Sequence, residues 1–126
     1  NHPVILPKGR LGALIKDQFK GLEILDYGLT LEVDKFIIGP NGCRLQWPLA
    51  AAYALAIVTQ AGASKISLVG FDGYSNDDLR QEEMNDVFLK YATLDKSMVI
   101  TALTPTTYRI DQSSIFQPYN FFMWFL

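Results

Sequence analysis

A helix apolar on nearly every face runs straight into an apolar strand, and this pairing constrains the fold more than any other feature of the chain. The stretch is "PLAAAYALAIVTQAGASKISLVGF", residues 48–71. Proline is tolerated in a first helical turn because its missing amide has no intrahelical partner there. Residues 49–61 then present Leu, Ala, Ile, Val and Tyr around the whole circumference, so such a helix needs cover on more than one side. Gly62 predicts a left-handed C-terminal cap. The run Ile66, Leu68, Val69 follows at once and predicts a central, parallel strand covered on both faces.

The flanking patterns extend this unit in both directions. Downstream, Asp78 and Gln81 have the spacing of a capping box. Met84, Val87, Phe88 and Tyr91 form one stripe of an amphipathic helix, and "MVITALTP" follows as another strand ending at Pro105. Upstream, Val4–Leu6 lies between two prolines, as an edge strand or extended segment would. "GLEILDYGLTLEV" reads as a strand, a kink at Tyr27-Gly28 and a second strand. Phe36 to Ile38 is a short apolar run stopped by "GPNG", whose glycines and proline supply left-handed and fixed backbone angles for a tight loop. Strand, buried helix, strand, amphipathic helix, strand makes two successive crossover units. The fold expected is a three-layer α/β sandwich with a mainly parallel, Rossmann-like sheet.

The chain has 126 residues, enough for one domain with a sizeable core, and no repeat or linker divides it. It is 49% hydrophobic and 19% charged, which excludes disordered and fibrous classes. A net charge of −2 argues against nucleic acid as a main partner. The longest apolar stretch, residues 48–58, is about half of what a bilayer span requires. The N-terminus lacks the order of a secretory signal, and the lone Cys43 permits no internal disulfide, so the expected location is cytoplasmic.

Open parallel sheets collect ligands beyond the carboxyl ends of their strands. Three segments are expected there: 39–44, 70–78 and 104–109. The "GPNGCR" loop offers Asn41 and Gly42 as an anion cradle with Arg44 adding charge, but it lacks the lysine and hydroxyl of a phosphate-binding P-loop. The competing reading is a turn that only reverses the chain. In "GFDGY", Gly70 and Gly73 permit close backbone approach, and Asp72 places a carboxylate where a sugar or ribose hydroxyl would donate to it. The alternative is that this carboxylate braces the turn or caps the next helix. Thr104 and Thr106 stand at the mouth of the third segment, with Tyr108 and Ile110 read as alternating positions of a last extended strand.

Other groups support no catalytic assignment. Asp77, Asp78, Glu82, Glu83 and Asp86 lack calcium-loop spacing and read as a solvated face at a helix N-terminus, with Arg80 beside them. His2 is the only histidine. Cys43 would be either a small buried residue or a thiol activated by the helix after it. No metal or cofactor is expected. The terminal "YNFFMWFL" is too apolar for a free tail and is expected to dock on its own domain, on a missing neighbour, or on a symmetry mate, which would make a homo-oligomer.

The stretches "AAYALAIVTQAGASKISLVGFDGY", "DLRQEEMNDVFLKY" and "ITALTPTTYRI" together resemble the domain that follows an aldolase barrel in certain bacterial proteins, related to HMG-CoA lyase and 4-hydroxy-2-oxovalerate aldolase. The resemblance spans about two thirds of the chain. It implies a C-terminal fragment of a longer aldolase-like protein, with the barrel and its metal-dependent aldol chemistry elsewhere in the parent chain. A shorter similarity, over the helix, strand and "GFDGY", is to bacterial CMP-sugar sialyltransferases, whose G-x-D-x-Y pattern Gly70, Asp72 and Tyr74 match. The histidine that family uses for catalysis has no counterpart after the motif. The expected function is an accessory ligand-binding or docking domain for a sugar or nucleotide-sugar in surface polysaccharide metabolism. The alternatives are a glycosyltransferase-like enzyme and an oligomerisation domain.

Overall fold

The computed structural model describes residues 2–116. The chain is mixed α/β and forms two compact units, within residues 1–63 and 64–126.

The first unit opens with a parallel pair, β1 (Val4–Leu6) beside β2 (Ile24–Asp26). Between them run a 3-10 turn (Lys8–Arg10) and α1 (Ala13–Gln18), neither of which the hydrophobic pattern announces because each is under two turns long. β3 (Gly28–Leu31), β4 (Phe36–Ile38) and β5 (Gly42–Leu45) make a second sheet in the order β3-β5-β4. β5 is parallel to β3 and antiparallel to β4. This strand was not expected; "GCRL" has a single alternation of buried Cys43 and Leu45 with exposed Arg44, too short a period to read. Its pairing explains two glycines. A Cβ on Gly42 would lie 2.6 Å from the carbonyl oxygen of Gly28, so the strands meet where neither carries a side chain.

α2 (Ala50–Gln60) packs on β4 and β5. It begins after Pro48, with Leu49 as an N-cap that supplies no side-chain bond. Ala52, Leu55, Ala56 and Thr59 are buried, whereas Ala54 and Val58 face out. The expected cover on more than one side is therefore corrected to one buried stripe. Alanine makes a helix apolar all round while exposing little area, and it has the highest helix propensity. The end follows expectation: Gly62 has φ +80° and donates to the Thr59 carbonyl, while the Ala63 amide reaches back to Val58, a Schellman closure. Tyr53 donates from its hydroxyl to the Tyr27 carbonyl, and Tyr27 donates in turn to the Gly39 carbonyl at 2.9 Å.

The second unit is a crossover. β6 (Ile66–Leu68) leads into α3 (Leu79–Ala92) and back to β7 (Ile100–Ala102), parallel to β6, with β8 (Asp111–Gln112) added parallel on the other side of β7. β6 is an edge of this three-stranded sheet, and Ser67 and Val69 are exposed, so the expectation of a central strand buried on both faces is corrected. The run is apolar, but only Ile66 is buried. The α3 stripe is as expected: Met84, Val87, Phe88 and Tyr91 are all buried. Phe88 meets Tyr108 edge to face at 5.5 Å. The last strand is shorter and later than expected, because residues 107–110 bend before Asp111. Among the described residues the strands fall into three small sheets of two, three and three strands, with β4 and β5 the one antiparallel pair. The aromatic C-terminal stretch lies outside the described residues.

Candidate functional site

The expected site residues divide between the two units. Asn41, Gly42 and Arg44 belong to the first. Asn41 is exposed in the three-residue connection between β4 and β5, and its carbonyl accepts from the Gly28 amide at 2.9 Å. Gly42 starts β5, and Arg44 projects from it toward Glu32 at 3.3 Å, an exposed pair that contributes little to stability. A whole strand separates this turn from α2, so it does not lead into a helix N-terminus; it reverses the chain. Cys43 is buried within β5, and burial pushes its thiol up to about 11, the opposite of activation by a helix end.

Gly70, Asp72, Tyr74 and Thr104 belong to the second unit, where two of the three segments come together. The Gly70 amide, at φ +74°, donates to the Thr104 hydroxyl at 2.9 Å, which ties the end of β6 to the end of β7. Beyond it, the loop is held by two residues the sequence reading did not select. Gln81, 2% exposed, accepts from the Tyr74 amide at 2.8 Å and donates to the Thr107 carbonyl at 2.9 Å. Thr107 returns its own amide to the Asp72 carbonyl at 2.8 Å, while its hydroxyl lies 3.1 Å from the Tyr74 carbonyl. Gly73, at φ +90°, fits under that hydroxyl, where a Cβ would be 2.1 Å away.

The brace bears on three readings of the sequence. The capping box is incomplete, because Asp78 does cap α3 through the Arg80 amide at 2.9 Å but Gln81 turns inward to the loop. Thr106, expected at the mouth of the third segment, accepts from the amide of Tyr108 at 3.1 Å, and the neighbouring Thr107 is the residue that bonds the loop. Asp72 braces the turn only through its main-chain carbonyl; its carboxylate is exposed and accepts no hydrogen bond from any described residue. The one sequence signal for the brace was a buried-stripe position: Gln81 lies three residues before Met84 on the face that α3 buries.

Other side chains of the loop and of the start of α3 are paired with one another. Arg80 stacks over the Tyr74 ring at 4.1 Å and reaches the Asp78 carboxylate at 2.6 Å. That guanidinium holds the Asp78 carboxyl below the usual range, and the Ser75 hydroxyl does the same for Asp77. Tyr74 keeps 41% of its surface exposed, so the ring is also available to a ligand. The loop thus presents a hydrogen-bond acceptor at Asp72 and a partly open aromatic ring at Tyr74. No three His, Cys, Asp or Glu side chains converge in a metal-holding cluster among the described residues.

A groove of about 700 Å³ lies elsewhere on the second unit, along α3 and beside the starts of β7 and β8. Phe88, Leu89, Val99 and Ile110 line it, with Glu82 and Arg109 at its edge. Its lining includes none of the expected site residues.

No family model matches the chain, and neither does any curated protein or solved structure.

Proposed function

We propose that the chain is an accessory ligand-binding domain whose second unit holds a sugar or nucleotide-sugar against Asp72. The observation that carries this reading is that the Asp72 carboxylate is exposed and unpartnered on a loop whose backbone is otherwise tied down by Gln81, Thr104 and Thr107. A carboxylate can accept from two adjacent hydroxyls, and a loop already fixed loses little entropy on binding. Tyr74 would pack its open surface on the apolar face of a sugar ring or a base.

The resemblance noted above supplies the setting. In an aldolase-like parent protein the carbon–carbon chemistry belongs to the barrel, and this domain presents the sugar ligand to it. The finer architecture that goes with this reading is a Rossmann-like three-layer sandwich, supported by β6, β7 and β8 all running parallel with α3 as the crossover. A cytoplasmic setting is supported by the free, buried Cys43. Among the described residues no helix is long and apolar enough to cross a membrane.

The test is a titration of isotope-labelled protein with CMP- and UDP-sugars, followed by amide shifts and by product analysis. Saturable shifts at residues 72–74 without turnover support the accessory role. Turnover of the sugar donor would transfer the assignment to a glycosyltransferase-like enzyme, and no shift at these residues would remove the site.

A further inference from the structure

We infer that Asn41 is a site of spontaneous covalent modification, forming a cyclic imide with the Gly42 nitrogen and opening to an aspartyl or isoaspartyl residue. The chemistry is intramolecular. The Gly42 backbone nitrogen attacks the Asn41 carboxamide carbon, the side-chain nitrogen leaves as ammonia, and water then opens the five-membered ring at either carbonyl. Three features of the β4-β5 turn favour the attack. Asn41 is exposed, and its carboxamide makes no hydrogen bond to any described residue. Gly42 has no side chain to block the approach to its nitrogen. The Gly42 N–H is not held by the Gly39 carbonyl, which accepts from the Tyr27 hydroxyl at 2.9 Å; the backbone bond that closes the turn runs from the Gly39 amide to the Gly42 carbonyl at 2.9 Å.

The product would change the first unit. Ring opening to the isoaspartyl form routes the main chain through the former side chain, and the carbonyl that accepts from the Gly28 amide becomes a free carboxylate. The β3-β5 pairing begins at this bond and at the Gly28–Gly42 contact, so an added main-chain carbon there disturbs the register.

The experiment is to incubate the folded full chain at physiological temperature in mildly alkaline buffer, alongside a urea-unfolded sample, and to map peptides by mass. The expected result is a gain of one mass unit in the peptide containing Asn41, at comparable rates in both samples, with Asn76 and Asn85 unchanged. Asn41→Gln should abolish that gain. A gain confined to the unfolded sample, or one appearing first at Asn76 or Asn85, overturns the inference, as does a gain that persists in Asn41→Gln.

Discussion

Gln81 and Thr107 hold each other from opposite sides of the second unit: the Gln81 amide donates to the Thr107 carbonyl at 2.9 Å, and the Thr107 hydroxyl lies 3.3 Å from the Gln81 carbonyl oxygen. Both also bond the loop between β6 and α3. Truncation therefore strands the Tyr74 amide and the Thr107 carbonyl together. Gln81→Leu should cost about 1–2 kcal/mol, since the two stranded groups are part-buried and water makes good some of the loss. Urea unfolding gives the loss, and hydrogen exchange at the Tyr74 amide should quicken more than at α3 interior amides.

Gly73 tests the same brace from the backbone. Gly73→Ala forces a side chain into a positive φ and against the Thr107 hydroxyl, so it should destabilise by about 3 kcal/mol. Thr107→Ala in that background removes the closest clash but leaves the Gln81 side-chain oxygen at 2.9 Å and the backbone strain. The double variant should be less destabilised than the sum of the singles by about 1 kcal/mol, measured as a double-mutant cycle. Strict additivity would contradict the contact.

The first unit should weaken in alkali. Burial raises the Cys43 thiol from 9.0 to about 11 and the Tyr53 hydroxyl from 10.0 to about 12. Both groups bind their protons more tightly folded than unfolded, so the unfolded chain ionises first and stability falls as pH rises. The contribution is complete below pH 9.0, erodes above it and is gone once pH has passed about 12. The urea midpoint should fall across that window, and Cys43→Ala should flatten its lower part. Thiol-reagent titration of the folded chain should be slow at pH 8 to 9 for the same reason.

Periodicity was readable where an element was long enough to repeat. The α3 stripe through Met84, Val87, Phe88 and Tyr91 spans several turns, and the Gly62 cap needs a backbone angle that glycine adopts freely. β5 escaped notice because four residues hold one alternation, and α2 misled because alanine is apolar wherever it points. The placement of Asp72 on the loop after β6 was legible from flanking glycines. What holds that loop was not, because Gln81 and Thr107 act across 26 residues of sequence, and a polar side chain on a buried stripe reads first as a helix cap. Acceptor chemistry left open whether the Asp72 carboxylate meets a ligand or braces the turn; the main-chain carbonyl of Asp72 does the bracing, and the carboxylate has no partner among the described residues.

The most direct measurement is Asp72→Asn examined for stability and for binding in the same preparation. The carboxylate has no partner among the described residues, so the urea midpoint should stay within about 0.5 kcal/mol of the parent, as for surface substitutions away from structural contacts. Calorimetric affinity for the nucleotide-sugar that the parent binds should fall by about tenfold or more, the loss expected for a charged acceptor of hydroxyl hydrogen bonds. Unchanged affinity, or a large loss of stability, would contradict the account.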